Sequence, residues 1–478
     1  MTKHENLIGG KWVSFGNYHD NINPSDTSDV IGSYSYGDAS SVDAAVEAAR
    51  AAQPGWRNAT PQARHDLLDA VGNTIAARKD EIGRLLSREE GKTLAEGIGE
   101  TMRASQVFKF FAGECLRQSG DLQASVRPDI DIEVTREPVG VVGIVTPWNF
   151  PIAIPAWKTA PALAYGNCVI LKPADLTPGC AHMIAQILDE CGCPPGVFNL
   201  VMGRGSKVGE ALVTHPGIDA ISFTGSVATG HHIAEACGKS RKKVQLEMGG
   251  KNPMVVLNDA DLSVAVPACL NGTFFSTGQR CTASSRLIVE AGIHDAFVEA
   301  MTKAVTDLKV GNALDASTQI GPVVDEKQLN SNLAYVDLAK KEGAEVIGGQ
   351  RLELGQTGFY QAPALFLGTN NNMRINREEI FGPCGSILKV SDFDEALAVA
   401  NDTDFGLSAG ICTASLKSAR DFKRQAQAGM VMVNLPTAGV DYHVPFGGSK
   451  GSSFGAREQG RYAVEFYTTV KTSYIYAG

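Results

Sequence analysis

Cys281 stands in a Gly- and polar-rich loop, Phe274-Phe-Ser-Thr-Gly-Gln-Arg-Cys-Thr-Ala-Ser-Ser-Arg286, between a helix-like run and a strand-like run. A thiol placed this way is exposed enough to react, whereas most cysteines in a long chain are small buried hydrophobes. Glu247, in Val244-Gln-Leu-Glu-Met-Gly-Gly-Lys-Asn-Pro253, puts a carboxylate at a strand end beside a glycine pair. A thiolate nucleophile and a carboxylate that activates water are the two parts needed to make and then hydrolyse a thioester. The ten cysteines have irregular spacing and read as reduced thiols. Cys191-Gly-Cys193 with Cys180 fits no zinc spacing and no histidine cluster completes it, so no metal is expected.

These residues need a scaffold, and 478 residues exceed what one core usually serves, so two or more domains are expected. From Ser40 to about Gln118 apolar residues recur at three and four, the period of helices, with a break marked by Pro61. Between Asp121 and Pro138 the pattern turns to strand-like alternation and reads as an excursion. From Val139 to Phe223 short apolar runs alternate with helical ones, which implies a parallel sheet covered on both faces and a nucleotide-binding architecture. Gly203-Arg-Gly-Ser-Lys-Val-Gly209 is one residue too long for the dinucleotide fingerprint. A second alternating series starts at Pro253, with Asp259 and Asp261 available to cap the helix leading to the Cys281 loop, and Phe466–Tyr476 reads as a strand.

A net charge of −9 and an isoelectric point near 5.6 argue against nucleic acid or an anionic membrane surface as partner. No run of about 18 apolar residues is present, and the first ten residues resemble neither a signal nor a transit peptide, so a cytoplasmic protein is expected.

Seven motifs in order resemble the aldehyde dehydrogenase superfamily over nearly the whole chain. They are Thr146-Pro-Trp-Asn-Phe-Pro151, Lys172-Pro-Ala-Asp175, Phe223-Thr-Gly-Ser226, Glu247-Met-Gly-Gly-Lys251, Gly278-Gln-Arg-Cys281, Glu378-Glu-Ile-Phe-Gly-Pro383 and Pro445-Phe-Gly-Gly448. The resemblance implies an α/β fold: a Rossmann-like NAD-binding domain (1–120 and 139–248), an α/β catalytic domain (249–445) and a small β oligomerisation domain (121–138 and 464–478). It implies a homo-dimer or homo-tetramer. Cys281 as thiolate would attack an aldehyde, the Asn149 amide and the Cys281 backbone N–H would hold the oxyanion, and Glu247 would take the proton of the hydrolytic water. Glutamate at 247 favours release of a free acid over transfer to coenzyme A. Lys158 and Glu458 match positions that relay the proton outward, or form a plain structural ion pair.

For the cofactor, the resemblance implies contacts from Thr146, Trp148, Lys172, Asp175, Gly225, Ser226, Glu379 and Phe381. Lys172 would meet the adenosine ribose, Ser226 the pyrophosphate at a helix start, and Glu379 with Phe381 the nicotinamide ribose. Asp175 replaces the usual glutamate of NAD-using members. An acid there still accepts from the ribose 2′-hydroxyl and repels a 2′-phosphate, so NAD is favoured, with NADP possible. Within the superfamily, Phe274–Arg286 and Asn434–Gly448 resemble dehydrogenases of 2-oxoglutarate semialdehyde (2,5-dioxopentanoate). A small aldehyde with a distal carboxylate would find a cation in Arg280 or Arg103, while Phe150, Trp157, Phe275 and Phe446 match tunnel-wall positions. The alternatives are another acid semialdehyde, such as succinate or glutarate semialdehyde, or a catalytically silent structural protein on the same fold.

Overall fold

The computed structural model describes residues 2–478. Two large sheets carry the chain. The first has eight strands in the order Ser453–Phe454, Lys243–Glu247, Ala220–Thr224, Val141–Val145, Cys168–Lys172, Phe198–Leu200, Asn6–Ile8 and Lys11–Val13. Its five central strands are parallel and the flanking ones antiparallel. Helices such as Ala153–Ala164, Pro178–Glu190 and Val227–Ser240 connect them, and both Ala220–Thr224 and Cys168–Lys172 are buried throughout. That burial explains why these strands read as unbroken apolar runs.

The chain builds this sheet outward in one direction from Val141–Val145 and then returns to add Ala220–Thr224 on its other side. The strand order therefore reverses between those two strands, and the crevice beyond their C-terminal ends is where open α/β sheets take ligands. Thr146–Asn149 and Gly225–Ser226 leave the sheet at that point.

The second sheet has seven strands, Glu345–Gly348, Ala364–Thr369, Cys384–Val390, Ser284–Glu290, Asn252–Val256, Ser408–Cys412 and Met430–Val433, parallel except for the first pair. Thr468–Tyr476, Ile130–Pro138 and Asp121–Ala124 form a separate antiparallel sheet that leaves Leu122, Val470, Tyr474 and Ile475 exposed.

The helical stretch of the N-terminal third resolves into Ala39–Arg57, Pro61–Ala77, Lys79–Glu90 and Leu94–Cys115, with Thr60 capping at the Pro61 break. Asp261 caps the helix that leads toward Cys281, but Asp259 instead accepts from the Thr413 hydroxyl. The final strand starts later than its sequence reads: Val464–Tyr467 is a helical turn whose Phe466 and Tyr467 are buried in the first core. Ser453–Phe454, beyond the stretch read as catalytic, pairs with Lys243–Glu247 and so belongs to the first sheet.

Candidate active site

Cys281 lines two cavities. One, of about 400 Å³, is walled by Lys92, Glu96, Glu100, Arg103, Phe150, Trp157, Phe275, Arg280 and Phe446 among others. The second, of about 310 Å³, is walled by Trp148, Asn149, Gly225, Ser226, Gly249, Glu379 and Phe381 among others. Of the residues named from sequence, the first cavity thus gathers all six assigned to substrate. The second gathers six of those assigned to cofactor or oxyanion. Thr146, Lys172, Asp175, Lys158, Glu458 and Glu247 line neither.

The approach to Cys281 is conformationally costly. Ser276 and Thr277 have φ of 52° and 56°, a left-handed region that side chains seldom adopt, and Gly278 follows at 65°. A Cβ on Gly278 would lie 2.1 Å from the Gly382 carbonyl oxygen. Cys281, read from sequence as exposed enough to react, is partly exposed. Burial, with the nearby carboxylates of Glu379 and Glu247, pushes its pKa up to about 12, so the resting group is the thiol.

Asn149 is buried, and its amide nitrogen donates to the Gln279 carbonyl at 2.9 Å, which ties it to the loop ahead of Cys281. An amide nitrogen carries two N–H groups, and one of them is committed to this bond. Glu247 is buried and turned toward Ser453, whose hydroxyl donates to it at 2.5 Å. Burial and the Glu458 carboxylate hold its pKa well above the ordinary range. Glu247, read from sequence as the base for the hydrolytic water, thus lines neither cavity, though its charge reaches Cys281. Lys158 donates to Glu458 and, at 2.8 Å, to Ser222, in a fully buried group. This pair is an ion pair with Glu247 close enough to feel its charge, an arrangement that accommodates both readings of it.

The second cavity has the features of a dinucleotide site. Ser226 caps the helix Val227–Ser240, so its N-terminal N–H groups face the crevice at the strand reversal. Trp148 and Phe381 meet edge to face, with ring centroids 5.3 Å apart. The Glu379 carboxylate accepts from the Gly250 N–H at 2.9 Å, and a Cβ on Gly249 would lie 2.2 Å from its oxygen. The glycine pair after Glu247 therefore serves Glu379. Burial raises the Glu379 pKa to about 7. Lys172 and Asp175 form an ion pair at 2.7 Å and do not line this cavity.

Arg103 and Arg280 are turned to backbone and amide oxygens through their Nη atoms, of Val440 and Gln459 for Arg103 and of Asn271 for Arg280. Each has a buried Nε without a partner. Trp157 and Phe446 stack obliquely at 5.4 Å. Lys92, Glu96 and Glu100 also face this cavity and were not singled out from sequence. Their spacing of four beside a capping threonine was the available signal.

A parallel sheet with a strand reversal, a capped helix at its crevice and a loop cysteine between two cavities suit a nucleophile working beside a bound dinucleotide. The sequence pattern of the aldehyde dehydrogenase family matches residues 12–473, and the chain belongs to that family. It is 44% identical to the alpha-ketoglutaric semialdehyde dehydrogenase of Bacillus subtilis, over 98% of this chain and 97% of that one. It is 43% identical to the alpha-ketoglutarate semialdehyde dehydrogenase of Haloferax volcanii, over 98% of each. The crystal structure of Staphylococcus aureus betaine aldehyde dehydrogenase in complex with NAD+ superposes with a TM-score of 0.97 at 34% identity, covering 99% of this chain and 95% of that one.

Proposed function

We propose that the chain oxidises 2-oxoglutarate semialdehyde to 2-oxoglutarate with NAD, through a thioester on Cys281. One observation carries the reading: Cys281 lines both the cavity with two arginines and the cavity with the capped helix. The two relatives described above, named for this semialdehyde, support the substrate. The Cys281 thiol gives its proton to solvent as its sulfur bonds to the aldehyde carbon, and the carbonyl electron pair moves to oxygen, where Asn149 and the Cys281 N–H would receive it. NAD, when bound by Trp148, Ser226, Glu379 and Phe381, supplies the acceptor for the hydride that leaves the same carbon as the carbonyl re-forms. Water then adds to the thioester, Glu247 takes its proton after giving up the Ser453 hydroxyl, and the C–S bond breaks with the sulfur leaving as thiolate, which regains a proton from solvent. Lys158 and Glu458 carry that proton onward.

Arg103 and Arg280, which line the first cavity, take the distal carboxylate. The test is initial-rate NAD reduction with 2-oxoglutarate, succinate and glutarate semialdehydes and an uncharged aldehyde of similar length. The 2-oxoglutarate derivative should give the highest kcat/KM. Arg103→Met should raise its KM by about 10- to 150-fold, the worth of a charge-assisted hydrogen bond, and leave the uncharged aldehyde unchanged. Equal rates for charged and neutral aldehydes contradict the substrate assignment.

The NAD-binding part is assigned to 1–120 and 139–248, the catalytic part to 249–445, and the strands within 121–138 and 464–478 to assembly of a homo-dimer or homo-tetramer. The exposed apolar side chains of that small sheet favour a covered face, and sedimentation of the purified chain reads the assembly. Ten unpaired cysteines suit a reducing, cytoplasmic location.

A further inference from the structure

The loops that carry Asn149 and Cys281 come from different parts of the chain, yet both are fastened to one helix start. Lys92, Glu96 and Glu100 recur every four residues around Thr93, which caps the helix Leu94–Cys115. Lys92 and Glu100 are buried and paired at 2.8 Å. The Lys92 ammonium also donates to the Asn149 carbonyl and lies 3.6 Å from the centre of the Phe150 ring. Through its other oxygen Glu100 accepts from the N–H groups of Ile152 and Ala153, each at 3.1 Å. Four contacts of the Asn149–Ala153 segment thus end on one ion pair.

Glu96 holds the other loop. One of its oxygens closes the cap with Thr93, at 3.1 Å to the N–H and 2.9 Å to the hydroxyl. The other accepts from the Ser276 N–H at 2.8 Å and the Ser276 hydroxyl at 3.0 Å. Ser276 begins the left-handed stretch that leads into Cys281, and such a backbone persists only where its surroundings over-determine it. The Asn149-to-Gln279 bond joins the two loops at the far side. The network therefore fixes the separation of the two oxyanion donors while forming no bond to the reacting atoms.

We infer that Lys92, Glu96 and Glu100 are positioning residues that set the Asn149 amide and the Cys281 N–H around the developing oxyanion. The inference rests on the oxyanion reading above, and a double-mutant cycle separates the two. In the full-length enzyme, kcat/KM for aldehyde oxidation is measured for Lys92→Met, Asn149→Ala and the double variant. Alkylation of Cys281 by iodoacetamide is measured alongside, because that displacement builds no oxyanion. Lys92→Met should lower kcat/KM by about 10- to 100-fold, as a misplaced donor does, with alkylation and NAD binding unchanged. Combined with Asn149→Ala it should cost nothing further.

Multiplying losses in the double variant, or alkylation falling in step with oxidation, would overturn the inference. If Asn149→Ala itself leaves oxidation unchanged, the oxyanion reading fails first. Should Lys92→Met not fold, Glu96→Gln tests the same device from the Cys281 side: oxidation must fall while alkylation holds, and any other result overturns it.

Discussion

Burial at Cys281 works against the ionisation its chemistry requires. With a pKa near 12 the resting side chain is a thiol, and the carboxylates of Glu379 and Glu247 add to what desolvation does. The sign of the consequence follows. Below its pKa the thiolate fraction grows about tenfold per pH unit, so alkylation of the cofactor-free protein should keep rising between about pH 7 and 9. Glu379→Gln removes one negative charge, lowers the thiol pKa and speeds alkylation at every pH in that range. Iodoacetamide incorporation against pH checks both, and a rate already level at pH 7 contradicts them. The thiol, the carboxylate and the amide were legible in the sequence because their types and motifs declare them. Their protonation states were not, since burial and neighbouring charges belong to the folded chain. The position of Glu247 against Ser453, a residue 206 positions away, was equally hidden.

At the scale of elements, the helix break at Pro61 and the cap at Asp261 fall where the sequence puts them. The short strands Asn6–Ile8 and Lys11–Val13 were not legible, because strands of three residues carry almost no period. Phe466 and Tyr467, in the helical turn Val464–Tyr467, were read as strand because β-branched and aromatic residues dominate the stretch they begin, and their tertiary packing overrides that preference. We propose that the turn after Cys168–Lys172 carries the cofactor choice. Asp175 neutralises Lys172, so Asp175→Ser removes a charge that repels a 2′-phosphate and frees a lysine to meet it. The ratio of kcat/KM with NADP to that with NAD should rise about fivefold or more, the worth of ~1 kcal/mol for a solvent-screened charge contact. Steady-state kinetics with both dinucleotides decide it, and an unchanged ratio places recognition of the ribose elsewhere.

For the whole molecule, the arrangement of two sheets explains why one cysteine faces two cavities. The strand reversal in the first sheet opens the crevice at Trp148 and Ser226, while the second sheet delivers the loop ahead of Ser284–Glu290, with Cys281 at its tip. The alternating pattern foretold both sheets in kind. It did not foretell their strand order or the return of Ser453–Phe454 to the first sheet, because pairing between distant segments leaves no local mark. The return matters chemically, since it brings Ser453 to Glu247. The central claim is that Cys281 becomes acylated and that Glu247 releases the acid. Glu247→Gln should acylate and then stall, because an amide cannot take the proton from water. The variant is mixed with NAD and 2-oxoglutarate semialdehyde, quenched in acid within the first turnover, digested and weighed by peptide mass spectrometry. The peptide containing Cys281 should be heavier by the aldehyde less two hydrogen atoms, in an amount equal to the NADH formed; an unmodified Cys281 peptide alongside stoichiometric NADH, or the same mass on another residue, would contradict the account.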